Sequence, residues 1–124
     1  VISHKMALVV RISATDWVEG GWDFAQSLVL AKALESRGCD FIHVSTGGLS
    51  PLQQIPVAEH FQVPFAETIK AEANMPVIAE GLITDANKAE TILAQGQADA
   101  IALARTVLYG PHWPWHAAAT LVQW

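Results

Sequence analysis

Arg11 closes one apolar run and Arg105 another, with a Gly81-Leu82-Ile83-Thr84 turn between them. Two permanent cations beside glycine-bearing turns suit an anionic, planar ligand. A guanidinium offers a fork of donors to acidic oxygens, and small residues let backbone N–H groups come close. The bland alternatives are an ion pair between Arg11 and a carboxylate such as Asp16, a simple tight turn at Gly81, and a surface salt bridge for Arg105. A second turn, Ser45-Thr46-Gly47-Gly48, could touch the same ligand or serve as turn chemistry alone.

Other reactive side chains read as structural. His43 shares a strand face with Ser45 by period-two alternation, and a hydrogen-bonded interior histidine is expected there. His112 and His116 stand at i, i+4 on one helix face, but no third ligand or H-E-x-x-H glutamate accompanies them, so no metal site is expected. His4 and His60 fall in loops without a partner signature. Cys39, the single cysteine, follows Gly38 and has no cationic neighbour in sequence to activate it. A buried bystander in a reducing, cytoplasmic setting is the expectation.

The elements that must position these residues alternate. Ala7 to Ile12, Phe41 to Val44, Val77 to Ala79 and Ala100 to Leu103 are short, apolar runs suited to strands buried on both faces. Asp23 with Gln26 spells a capping box ahead of the stripe Phe24, Leu28, Ala31 and Leu34, and Gly38 ends that helix. Pro64 opens a second helix with Phe65, Ile69 and Ala73 inward. Thr84 or Asp85 caps a third, with Ala89, Ile92 and Leu93 inward and Gly96 at its end. Pro111 begins a last, tryptophan-rich helix. This βαβαβαβα order implies a parallel sheet with right-handed crossovers. It fits either a small open sheet of flavodoxin-like type or half of an eight-stranded barrel, and periodicity alone does not choose.

Composition sets the outer limits. The 124 residues fit one domain, 1–124, and 52% hydrophobic residues with a mean hydropathy of +0.28 suit buried strands or a piece that is normally covered. No run reaches the roughly 20 apolar residues of a membrane span, so neither a span nor a signal peptide is expected. A net charge of −5 with seven scattered Lys and Arg argues against nucleic acid.

The chain resembles the C-terminal half of the old yellow enzyme family. The resemblance rests on Val10-Arg11-Ile12-Ser13, the Gly-Gly-Trp-Asp turn, Val44 to Gly48, Gln62-Val63-Pro64-Phe65-Ala66-Glu67, Gly81 to Asp85, Gln97-Ala98-Asp99 through Ala104-Arg105, and Pro111-His112-Trp113-Pro114. They follow in family order and spacing over essentially the whole chain, most like the bacterial NADPH dehydrogenases and ene-reductases. The resemblance implies an α/β fold, four βα units forming the C-terminal half of a (β/α)8 TIM barrel. It implies an FMN cofactor and NADPH or NADH as reductant, with hydride passed to an activated alkene or another small-molecule electron acceptor. Arg11 would lie at the flavin pyrimidine edge and stabilise the anionic reduced form. Gly81 with Ala104-Arg105 would grip the phosphate, aided by the N-terminus of the following helix. Ser45 and Gly47 are candidates for further contact. Trp17 and Trp22 would pack their loop onto the barrel rim, and Trp113, Trp115 and Trp124 would pack the last helix.

Two departures from the family pattern bear on that grip. Ala104 stands where glycine is usual, and its methyl would crowd a phosphate if a positive φ were required. Glu80 stands where an apolar residue is usual, and a carboxylate there must point away or pair with a cation. Weaker FMN affinity, or a compensating contact, is the expectation. No catalytic residue is expected in this chain, because the family's carbonyl-orienting pair and proton-donating tyrosine lie in the N-terminal half. Tyr109, the only tyrosine, follows the phosphate strand rather than facing the flavin. The expected partner is therefore the missing N-terminal half or a second copy, with a non-catalytic, self-associating half barrel that binds at most a phosphate-bearing ligand as the alternative.

Overall fold

The computed structural model describes residues 5–122; Trp124 and His4 lie outside them. Strands β1 (Val9–Ser13), β2 (Phe41–Ser45), β3 (Val77–Ala79) and β4 (Ala100–Ile101) form one parallel sheet in the order β1-β2-β3-β4. Helices α1 (Phe24–Glu35), α2 (Val63–Glu72) and α3 (Ala86–Ala94) cross between successive strands, and α4 (Arg105–Tyr109) and α5 (Trp113–Leu121) follow the last. Strand order equal to chain order means that every right-handed crossover steps the same way. All three crossing helices then fall on one face, as in a barrel wall. A flavodoxin-like sheet would reverse direction once, and this one does not.

Burial alternates accordingly. Ile42, Val44, Val77 and Ala79 are fully enclosed beneath the helices, with Ile69 and Ala66 of α2 against them. The opposite sheet face carries Arg11, Ser13, His43, Ser45 and Ile78 and is open enough to leave Val9 and Phe41 exposed. The strands were expected to be buried on both faces; among the described residues only one face is covered. The apolar runs read as two-sided burial because their inner positions mix Val9, Phe41 and Ile78 with the polar cluster.

Local chemistry sets the ends of the elements. Asp23 accepts from the Gln26 N–H at 2.9 Å while the Gln26 side chain accepts from the Asp23 N–H at 3.0 Å, completing the capping box. Asp85, not Thr84, caps α3 through the Lys88 N–H. Gly38 and Gly96 take φ of +83° and +73° just past α1 and α3. The chain after β4 differs from the expected pattern. Five residues, too few to show a helical period, form α4; α5 starts at Trp113 with Pro114, rather than Pro111, in its first turn. Trp17 packs edge-on against Phe65, and Trp22 donates from Nε1 to Ser27 Oγ at 2.6 Å, so both tie the loop after β1 to the body. Trp113 packs against the core, whereas Trp115 is exposed. Cys39 is buried.

Candidate functional site

A cavity of about 570 Å³ opens where the chain leaves β3 and β4, and its walls include Arg11, Gln62, Glu80, Gly81, Ala104 and Arg105. That volume lies in the usual range for small-molecule sites, roughly 300–1,000 Å³. The carboxyl ends of parallel strands are where barrel folds place ligands.

The turn after β3 is the most constrained part of the wall. Gly81 has φ of +114° and Leu82, unusually for a leucine, +53°. A left-handed residue with a side chain costs on the order of 1 kcal/mol, so the surrounding contacts must impose it. Those contacts hold the loop by its carbonyls: the His60 N–H donates to Gly81 O at 3.1 Å, Thr106 Oγ1 to Ile83 O at 3.2 Å, and Trp113 Nε1 to Thr84 O at 2.9 Å. Space is tight at 81 as well, because an added Cβ would lie 3.0 Å from Gln62 Cβ. Gln62 is nearly enclosed and donates from Nε2 to Thr46 Oγ1 at 3.0 Å, while its Oε1 has no partner among the described residues. Sequence reasoning missed Gln62 as a wall residue. The available signal was its place in the Gln62-Val63-Pro64 run, a polar residue directly before a helix start.

Arg11 sits in the middle of β1, level with His43 on β2, and both side chains converge on Glu80. Arg11 Nη2 donates to Glu80 Oε1 at 2.8 Å and to Ser45 Oγ at 3.1 Å, and His43 Nε2 lies 2.8 Å from Glu80 Oε2. The carboxylate was expected to point away or find a cation, and it does the latter. Asp16, the other carboxylate considered for Arg11, instead takes the Trp22 N–H. Burial pushes the Glu80 carboxyl up, but the Ser45 hydroxyl, the Arg11 guanidinium and the charge of His43 outweigh it, and the group is held below the usual glutamate range. An ionised carboxylate only accepts hydrogen bonds, so His43 carries a proton on Nε2.

Four of the six candidate residues, Arg11, Gly81, Ala104 and Arg105, thus meet at one cavity. Ser45 is buried and reaches it through Arg11. Gly47 is not among the wall residues: its carbonyl accepts from Ser13 Oγ, and a Cβ there would come within 2.7 Å of Ile55. Ala104 has φ of −119°, so the positive φ on which its crowding depended is absent. The expected help from a helix N-terminus also needs correction. Helix α4 has five residues, too short for an appreciable dipole, which leaves backbone amides and Arg105 as the anion donors. Tyr109, expected to follow the phosphate strand rather than face the flavin, is the last residue of α4; it is exposed and lines the same cavity.

Two guanidinium groups, a glycine turn imposed by close packing and a cavity of this size fit a flavin nucleotide. Similarity to known proteins points the same way. The NADPH dehydrogenase of Geobacillus sp. (strain WCH70) is 46% identical over 114 residues, 92% of this chain and 33% of that protein. The chain therefore spans about a third of the length of the curated relatives it matches. A 2-naphthoyl-CoA reductase structure superimposes with a TM-score of 0.79 at 21% identity, over 91% of this chain and 18% of the other. The old yellow enzyme homologue of Zymomonas mobilis does so with a TM-score of 0.64 at 20% identity, over 94% and 32%. These two likenesses establish the fold, four βα units of a (β/α)8 barrel. The profile of the NADH:flavin oxidoreductase / NADH oxidase family matches residues 1–123, and the chain belongs to that family.

Proposed function

We propose that this chain is the FMN-binding part of an NAD(P)H-dependent ene-reductase, acting on activated alkenes or other small electron acceptors. The carrying observation is the meeting of Arg11, Gly81 and Arg105 at one cavity beyond β3 and β4. The family's flavin is FMN and its reductant NADPH or NADH. When bound, the flavin supplies the hydride relay between reductant and acceptor.

The chain's own residues would bind and orient. Arg105, which has no ion pair among the described residues, is free to take a phosphate. The amides of the Gly81 turn can approach that phosphate because no Cβ stands in the way. Arg11 would place positive charge at the electron-rich edge of the ring, with Ser45 helping to aim it. No residue here is assigned to substrate protonation. Catalysis on this reading needs further βα units to cover the open sheet face, and the greater length of the curated relatives supports that. The isolated chain would be inactive.

When the chain is completed by the further βα units and loaded with FMN, anaerobic NADPH is expected to bleach the visible flavin band, and an activated alkene to restore it. A band that NADPH leaves unchanged contradicts the reading. The exposed Val9 and Phe41 on the open face favour one alternative, a non-catalytic half barrel that associates with itself and binds at most a phosphate-bearing ligand. It would purify as a colourless homodimer.

A further inference from the structure

We propose that Glu80 is a positioning residue for Arg11, holding the guanidinium against the sheet and offsetting its charge, so that the cavity offers a bound flavin less positive potential than Arg11 alone would. This assignment rests on the flavin reading of the cavity and goes beyond it. The geometry is specific. Glu80 Oε1 accepts from Arg11 Nη2 at 2.8 Å, and Oε2 faces His43 Nε2 at 2.8 Å, so the carboxylate is pinned at both oxygens and does not rotate away. The Arg11 side chain remains 60% exposed while that of Glu80 is 20% exposed, so the anion is the more buried member of a pair that lines the cavity. A neutral residue at 80 would leave Arg11 an uncompensated charge in the same place.

The consequence is electrostatic. Positive charge near the ring favours the anionic reduced flavin over the neutral oxidised one. Offsetting it makes the bound flavin a weaker oxidant and a stronger reductant. Removing this one negative charge from the cavity is expected to change the ratio of oxidised to reduced FMN dissociation constants about tenfold, about 30 mV for a two-electron couple.

The test is the midpoint potential of FMN bound to the wild-type protein and to Glu80→Gln, Glu80→Val and Glu80→Asp. Two neutral variants guard against misfolding of either, and the aspartate keeps the charge while shortening the reach. The expected result is a potential about 30 mV higher in the neutral variants and near wild type in Glu80→Asp. Unchanged potentials in the neutral variants overturn the assignment, as does an equal shift in Glu80→Asp, which would make shape rather than charge responsible. In either case the flavin reading stands, because FMN is bound. Failure of the wild-type protein to bind FMN overturns both.

Discussion

Ala104 and Gly81 line the same cavity but make opposite demands on the chain. At Ala104 φ is −119°, outside the left-handed region that favours glycine. Ala104→Gly is therefore expected to leave the FMN dissociation constant unchanged, measured by quenching of flavin fluorescence. A several-fold tightening would restore the idea that the methyl crowds the phosphate. At Gly81 the φ of +114° strains any side chain, and Gln62 Cβ, 3.0 Å from the added atom, would have to give way as well. Gly81→Ala should cost about 1–3 kcal/mol in urea unfolding and open the turn enough to weaken FMN binding. The residue types of this site were legible in the sequence, since arginine and glycine each have few competing roles. Its pairings were not. Glu80 meets Arg11 across 69 positions and His43 across 37, and no local pattern encodes contacts that depend on strand register.

At the scale of elements, capping and termination were readable because their signals are local: the Asp23–Gln26 box, the glycines after α1 and α3, and the proline at the start of α2. Helix α4 was not readable, being shorter than the period that would reveal it. One element-level link depends on charge. Asp99, just before β4, accepts the Val77 N–H at 2.9 Å and Lys70 Nζ at 2.7 Å, joining β3, β4 and α2. Burial raises its carboxyl, but Lys70 and the Val77 amide outweigh this and hold it below the usual aspartate range. A folded value below the unfolded one means that the stabilisation is present above the unfolded value and is lost as pH falls through the folded one. Wild-type stability should therefore drop as pH falls below about 3.9, the ordinary aspartate value, with a component that Asp99→Asn lacks. Denaturation midpoints of the two proteins across that range check it. Parallel curves would show that Asp99 contributes nothing.

On the scale of the whole molecule, the sheet has helices on one face and a partly polar, partly apolar face on the other, with β1 and β4 unpaired at its edges among the described residues. Unpaired edges and an open inner face favour association. The chain studied alone is expected to sediment above its monomer mass of 13.4 kDa, and to form a one-to-one complex when coexpressed with the remaining βα units. A monomer that unfolds cooperatively would contradict this. Barrel character was only half legible. Alternation of strands and helices was plain, yet the choice between open sheet and barrel rests on strand order, a long-range property that appears only in three dimensions.

On the proposed reading, Arg105 and the Gly81 turn bind the phosphate of FMN. Visible-absorption titration of the whole protein and of Arg105→Ala, with FMN and with riboflavin, isolates that phosphate, since the two ligands differ only there. A shifted, saturable flavin spectrum is expected, with an affinity for FMN that falls about ten- to a hundredfold in Arg105→Ala while that for riboflavin holds. Equal affinities for FMN in the two proteins, or an equal loss for both ligands, would contradict it.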